Sequence, residues 1–104
     1  MGLDIKVIKE GNGVKPVKGN VVAVQYKGSL TNGYVFDQSF HPFKFKLGVG
    51  EVIDGWDLGI LKMSVGEKAI LTMTGDLAYG EEGSEPDIPP NSTLIFEVEL
   101  LSFN

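Results

Sequence analysis

The sequence predicts an α+β fold, in which one short helix covers one face of a mostly antiparallel sheet of five or six strands. Three observations lead there. Several segments alternate apolar and polar residues with a period of two. Only one stretch, around Glu51–Ile60, spaces its apolar residues like a helix. The connections carry hairpin-type turn residues rather than the long crossovers of a parallel sheet.

Taken in order, Leu3 to Val7 alternates as a strand with one buried face, and Gly11-Asn12-Gly13 breaks it. Val21 to Leu30 is the longest strand: Val22, Val24, Tyr26 and Leu30 share one face, and Gln25, Lys27 and Ser29 the other. Asn32-Gly33 predicts a type I′ hairpin, because both residues tolerate positive φ. Tyr34 to Asp37 returns as a strand. Phe43 to Leu47 alternates again, so Phe43, Phe45 and Leu47 point the same way. Gly48 and Gly50 then let the chain turn. Val52, Ile53, Trp56 and Ile60 follow near helical spacing, with Asp54 at the N-cap position and a helix end near Met63. Lys68 to Thr74 and Thr93 to Ser102 complete the strands, with Ala69, Leu71 and Met73 on one face and Leu94, Phe96, Val98 and Leu100 on another. The aperiodic stretch Asp76 to Ser92 is long for a loop in a compact domain. Leu77, Ala78, Tyr79 and Ile88 make it apolar enough to pack back as the wall of a site.

At 104 residues, 42% of them apolar, residues 3–104 read as one domain with a real core. The chain has no cysteine, which removes disulfides and thiolate metal sites. No apolar run is long enough to span a membrane and no leader is visible, so a cytoplasmic monomer with no membrane partner is expected. The net charge is −5, and all nine lysines lie at or before Lys68. Nothing concentrates positive charge on one element, so nucleic acid is not an expected partner. The acids of Glu81–Asp87 read first as solvated surface and second as a loop that selects or repels partners.

Chemistry with conventional groups finds little support. The single histidine, His41, sits beside Pro42 without a nucleophile elbow in the chain. Zinc ligands and the alternating oxygens of a calcium loop are missing, so neither cofactor nor metal is expected. What remains is more aromatic surface than one small core needs: Tyr26, Phe36, Phe43, Phe45, Trp56, Tyr79 and Phe96. Asp37 and the Tyr79 hydroxyl would add the few polar groups by which an apolar pocket orients a ligand.

A series of ordered blocks carries a resemblance. These are Tyr26 to Leu30, Asn32 to Asp37, Phe43 to Gly48, Glu51 to Trp56, Met63 to Gly66, Leu77 to Gly80, Ile88 to Pro90 and Thr93 to Leu101. From about residue 3 to the C-terminus the chain resembles the small single-domain members of the FK506-binding protein (FKBP) family of peptidyl-prolyl cis–trans isomerases. The resemblance implies a five-stranded antiparallel sheet wrapped around the helix, with a pocket between them. It implies that Tyr26, Phe36, Phe45, Val52, Ile53, Trp56, Tyr79 and Phe96 line that pocket, with Trp56 as its floor; Ile88 also belongs to the implied binding set. The Ile53 N–H and the Tyr79 hydroxyl would donate to ligand carbonyls. Asp37 would accept from a ligand hydroxyl or face the carbonyl carbon of a twisting amide. Phe43 and the Glu51 carbonyl would form the rim. Asp37, Tyr79, Phe36 and Trp56 are the implied catalytic set.

Proline-containing peptides and FK506- or rapamycin-type macrolides are the implied ligands, and assistance to protein folding the implied role. The alternative is a non-catalytic module that grips a proline segment of a partner. The missing acid–base and metal machinery suits an isomerase, because rotation about the amide needs only loss of resonance, about 18–20 kcal/mol. The rim departs from the family. The stretch after Asp37 is short and lacks the usual basic residue, Ser84 stands where some members have histidine, and Glu85, Pro86 and Asp87 make the loop tip polar and acidic.

Overall fold

The computed structural model describes residues 2–104. In chain order its elements are strands β1 (Leu3–Lys9), β2 (Val21–Leu30), β3 (Val35–Gln38) and β4 (Phe43–Lys46), helix α1 (Asp54–Ile60), and strands β5 (Lys68–Met73) and β6 (Leu94–Phe103). The strands form one antiparallel sheet in the order β1-β5-β6-β2-β3, with β4 also paired to β2. β3 and β4 share one edge of β2: β3 pairs along Lys27–Ser29 and β4 along Val21–Val24. Five positions across the sheet are therefore filled by six strands, the outermost position being split in two by residues 39–42.

The period-two pattern sorts the core as expected. Val22 and Val24 of β2, Leu71 and Met73 of β5, and Leu94, Val98 and Leu100 of β6 are all fully buried. Helix α1 closes over this face with Trp56 and Ile60 inward. Gly55 and Gly59 let it sit close to β5. A Cβ on Gly55 would run into the thioether of Met73, and one on Gly59 would lie 3.0 Å from Leu71 Cδ1.

Four local expectations change. Only Gly33 of the hairpin pair has positive φ, at 92°. The Leu30 carbonyl accepts from the Gly33 N–H at 3.0 Å, and the Leu30 N–H donates to the Tyr34 carbonyl at 2.9 Å. The connection is thus a three-residue loop closed by a left-handed glycine, not a type I′ turn. The helix N-cap is Ile53, not Asp54; Asp54 and Asp57 lie in the first turn, where negative charge suits the helix dipole. Asp57 also accepts from the N–H groups of Gly48 (2.8 Å) and Gly50 (3.0 Å), which fixes the turn leading into the helix. The helix stops at Ile60, and tighter i→i+3 bonds from Lys62 and Met63 carry the chain on to Met63. On β1 the inward face runs out: Leu3 and Ile5 are partly buried, but Val7 is 43% exposed because that edge strand extends past the core.

The long connection packs back. It opens with a single 3-10 turn at Gly75–Leu77, buries Ile88, and closes through hydrogen bonds between Ser84 and Ile88 in both directions at 2.8 Å. No described helix is long and apolar enough to cross a membrane.

Candidate active site

Between α1 and the open end of the sheet lies a cavity of about 420 Å³. Each element delivers its part. Tyr26 continues the inward face of β2 into the cavity wall, where it is only partly covered. β3 contributes Phe36 and Asp37, β4 contributes Phe43, and β6 contributes Phe96. Gly28, opposite them on β2, makes room for two rings: a Cβ there would lie 2.6 Å from Phe96 and 2.7 Å from Phe36. Phe36 and Phe96 consequently meet edge to face, with centroids 5.6 Å apart.

The residues before the helix, Glu51, Val52 and Ile53, form the opposite rim, and Tyr79 comes in from the long connection. Trp56, in the first turn of α1, sits at the bottom and is only 4% exposed. Its indole stands edge-on to Tyr26 (4.9 Å, 75°) and Phe96 (5.2 Å, 84°). Such T-shaped pairs bring positive ring edges to negative ring faces and hold the rings in place. The indole N–H is buried without an acceptor among the described residues.

Few polar groups interrupt this apolar lining. The Tyr26 hydroxyl donates to Asp37 Oδ2 at 2.7 Å. Burial raises the Tyr26 pKa well above the usual phenol value, and the hydrogen bond to Asp37 and that carboxylate's charge raise it further. Burial likewise raises the Tyr79 pKa, with the charge of Asp37 second. Both hydroxyls therefore stay protonated at neutral pH, and Tyr79 remains a donor. The Ile53 carbonyl accepts from Trp56 N–H (3.0 Å) and Asp57 N–H (3.2 Å), whereas the Ile53 N–H has no partner among the described residues. Glu51 Oε1 accepts from the Lys46 N–H at 2.9 Å.

Ten of the twelve residues expected at the site line this cavity. The other two lie behind its wall. Phe45 is 5% exposed, stacked under Phe43 and tilted against Trp56, and Ile88 is 4% exposed in the core. Gly28 and the hydrogen bond from the Tyr34 hydroxyl to Asp87 Oδ1 (2.8 Å) were not anticipated. A glycine inside a strand is the available sign of close approach, but an exposed tyrosine 53 positions from its acceptor leaves none.

Residues 12–101 match the family model of the FKBP-type peptidyl-prolyl cis-trans isomerase. The chain belongs to this family. It is 54% identical to FK506-binding protein 1 of Dictyostelium discoideum, over 99% of each chain. It is 49% identical to FK506-binding protein 1 of Yarrowia lipolytica over the full length of both. It is also 51% identical to a peptidyl-prolyl cis-trans isomerase of Schizosaccharomyces pombe, over 100% of this chain and 96% of that one. This FKBP-type chain is an isomerase of X–Pro bonds, and its split-edge antiparallel sheet over one short helix is the family's fold.

Proposed function

We propose that isomerisation takes place in the aromatic cavity, with the prolyl ring of the substrate lying over Trp56. The observation that carries this reading is the pairing of a deep aromatic floor with three polar groups at its edge: the Asp37 carboxylate, the Tyr79 hydroxyl and the unpartnered Ile53 N–H. The Ile53 N–H and Tyr79 hydroxyl donate to carbonyls flanking the proline and hold the segment in a turn. The rings that exclude water favour the twisted amide over the planar one, because its carbonyl is less polar and loses less on leaving water. Asp37, oriented by Tyr26, faces the carbonyl carbon of the twisting bond. No bond is made or broken.

The same cavity would take the pipecolyl ring of an FK506-type macrolide, which is a prolyl ring with one more methylene. Trp56 is the only tryptophan, so its emission reports on the floor alone. Titration with such a macrolide, with saturation fixed independently by calorimetry, is expected to change the intensity or maximum of Trp56 fluorescence. An unchanged spectrum at saturation removes Trp56 from beneath the ring.

A further inference from the structure

Strand β2 loses its edge partner at one point. Val21–Val24 pair with β4 and Lys27–Ser29 with β3, so Gln25 and Tyr26 fall at the break between the two. A half-buried backbone group left unpaired there would carry the full cost of its lost hydration. One residue fills the gap. The Ser39 N–H donates to the Tyr26 carbonyl at 2.9 Å, and Ser39 Oγ accepts from the Tyr26 N–H at 2.8 Å. The hydroxyl in turn donates to Gln25 Oε1 at 2.9 Å. That bond fixes the hydroxyl rotor and leaves its lone pairs for Tyr26.

Tyr26 is also the residue that holds Asp37, through its own hydroxyl at 2.7 Å. The segment Asp37-Gln38-Ser39 is therefore gripped at both ends by one residue, by side chain at one end and by backbone at the other. Nothing beyond Ser39 takes over this task. β3 ends at Gln38, the residues from Phe40 to Pro42 are exposed, and Phe40 is 79% exposed. The support comes from outside the aromatic cavity. Ser39 and Gln25 line a separate polar hollow with Lys27 and Glu97, and neither lines the cavity itself.

We propose that Ser39 is a positioning residue of this isomerase: it closes the break in the sheet edge on Tyr26 and so fixes the ring and the carboxylate that Tyr26 and Asp37 present to the substrate. The proposal rests on Asp37 facing the twisting amide. A group that acts through its position is sensitive to small displacements, and a shift of about 1 Å can cost about a hundredfold in rate.

The test uses Ser39→Ala, which deletes the acceptor of the Tyr26 N–H, and Ser39→Thr, which keeps the hydroxyl. Each is made in the native chain and in Asp37→Leu. kcat and KM are measured on one Leu–Pro peptide, with urea unfolding on the same samples. Ser39→Ala is expected to lower kcat about threefold to tenfold and to leave KM within about twofold. Ser39→Thr should restore kcat to within about twofold of the native chain. In the Asp37→Leu background Ser39→Ala should change kcat by less than about twofold, because the group it positions is gone. A residue that only holds the sheet together would lower the urea midpoint in both backgrounds and leave the kcat of the folded enzyme alone. Ser39→Cys, close in size but a weak acceptor, should give a milder loss and decides the matter if Ser39→Ala does not fold. Native kcat in the folded Ser39→Ala or Ser39→Cys chain, equal losses in both backgrounds, or a Ser39→Thr chain as slow as Ser39→Ala overturns the proposal while the reading of Asp37 stands. Native kcat in Asp37→Leu itself overturns both.

Discussion

The Tyr26 hydroxyl and Asp37 Oδ2, 2.7 Å apart, tie β2 to β3 across the cavity mouth. The bond orients the one carboxylate that faces the cavity from β3. Tyr26→Phe deletes the donor and keeps the ring, and a partly exposed hydrogen bond to a charge contributes about 1 kcal/mol. Asp37→Leu is expected to lower kcat/KM by about tenfold, equivalent to about 1.4 kcal/mol. Because Tyr26 acts through Asp37, the double variant should lose no more activity than Asp37→Leu alone. Additive losses in that cycle would show that the two residues act separately.

All three tyrosines have raised pKa values: Tyr26 and Tyr79 chiefly through burial, Tyr34 chiefly through its bond to Asp87. In the unfolded chain each phenol ionises near 10. Below that pH both states are protonated and the stabilising contribution is complete. As pH rises past about 10 the unfolded chain ionises first and is stabilised by it, so folding stability falls towards the folded pKa values. Two outcomes are expected. Native-state absorbance at 295 nm rises at higher pH than that of the urea-unfolded chain. Urea midpoints hold up to about pH 9 and decline beyond pH 10. Coincident native and unfolded titrations would contradict both.

The two helix glycines differ in what they meet, so their alanine variants should differ in stability. Alanine gains about 1 kcal/mol of helix propensity over glycine at either position. At Gly55 the added methyl meets the buried Met73 thioether and lies 3.3 Å from the Leu77 carbonyl, and overpacking of that kind costs about 1–3 kcal/mol. Gly55→Ala should be destabilising by about 1–2 kcal/mol in urea unfolding. At Gly59 the contacts are Leu71 methyls at 3.0 and 3.3 Å, which need to yield only a few tenths of an ångström. Gly59→Ala should change stability by less than about 1 kcal/mol. The reverse order would mean that helix and sheet do not meet as described.

Much of this was legible in the chain because alternation is a strong signal where one face is buried. The span of β2 and the inward sets of β5 and β6 follow from period two alone. Caps and turns were harder. Asp54 has the right chemistry for an N-cap, yet the cap has no side-chain bond and Asp57 serves the preceding turn instead. Asn32-Gly33 fits a two-residue hairpin, but the Gly33 and Tyr34 bonds to Leu30 enclose three residues. The site was legible as a set of aromatics, whereas depth within that set was not. Phe43 and Phe45 share a strand face and read alike, and only the tertiary packing separates rim from core.

That separation gives the last expectation. Phe43 is 40% exposed against the cavity, and Phe45, stacked beneath it at 5.6 Å, is 5% exposed. Phe45→Ala removes a buried ring packed against both Phe43 and Trp56 and should cost about 3–5 kcal/mol of stability. Phe43→Ala vacates a half-open position, so its stability cost should stay below about 2 kcal/mol. In peptide turnover the order reverses under native conditions. Phe43→Ala takes away surface that would cover the bound segment and should raise KM several-fold with little change in kcat, as loss of uniform binding does. Phe45→Leu, which keeps most of the buried volume, should leave KM within about twofold. Urea unfolding and the proline-peptide assay on the same samples decide it. A KM effect larger for Phe45→Leu than for Phe43→Ala would place Phe45 at the cavity surface.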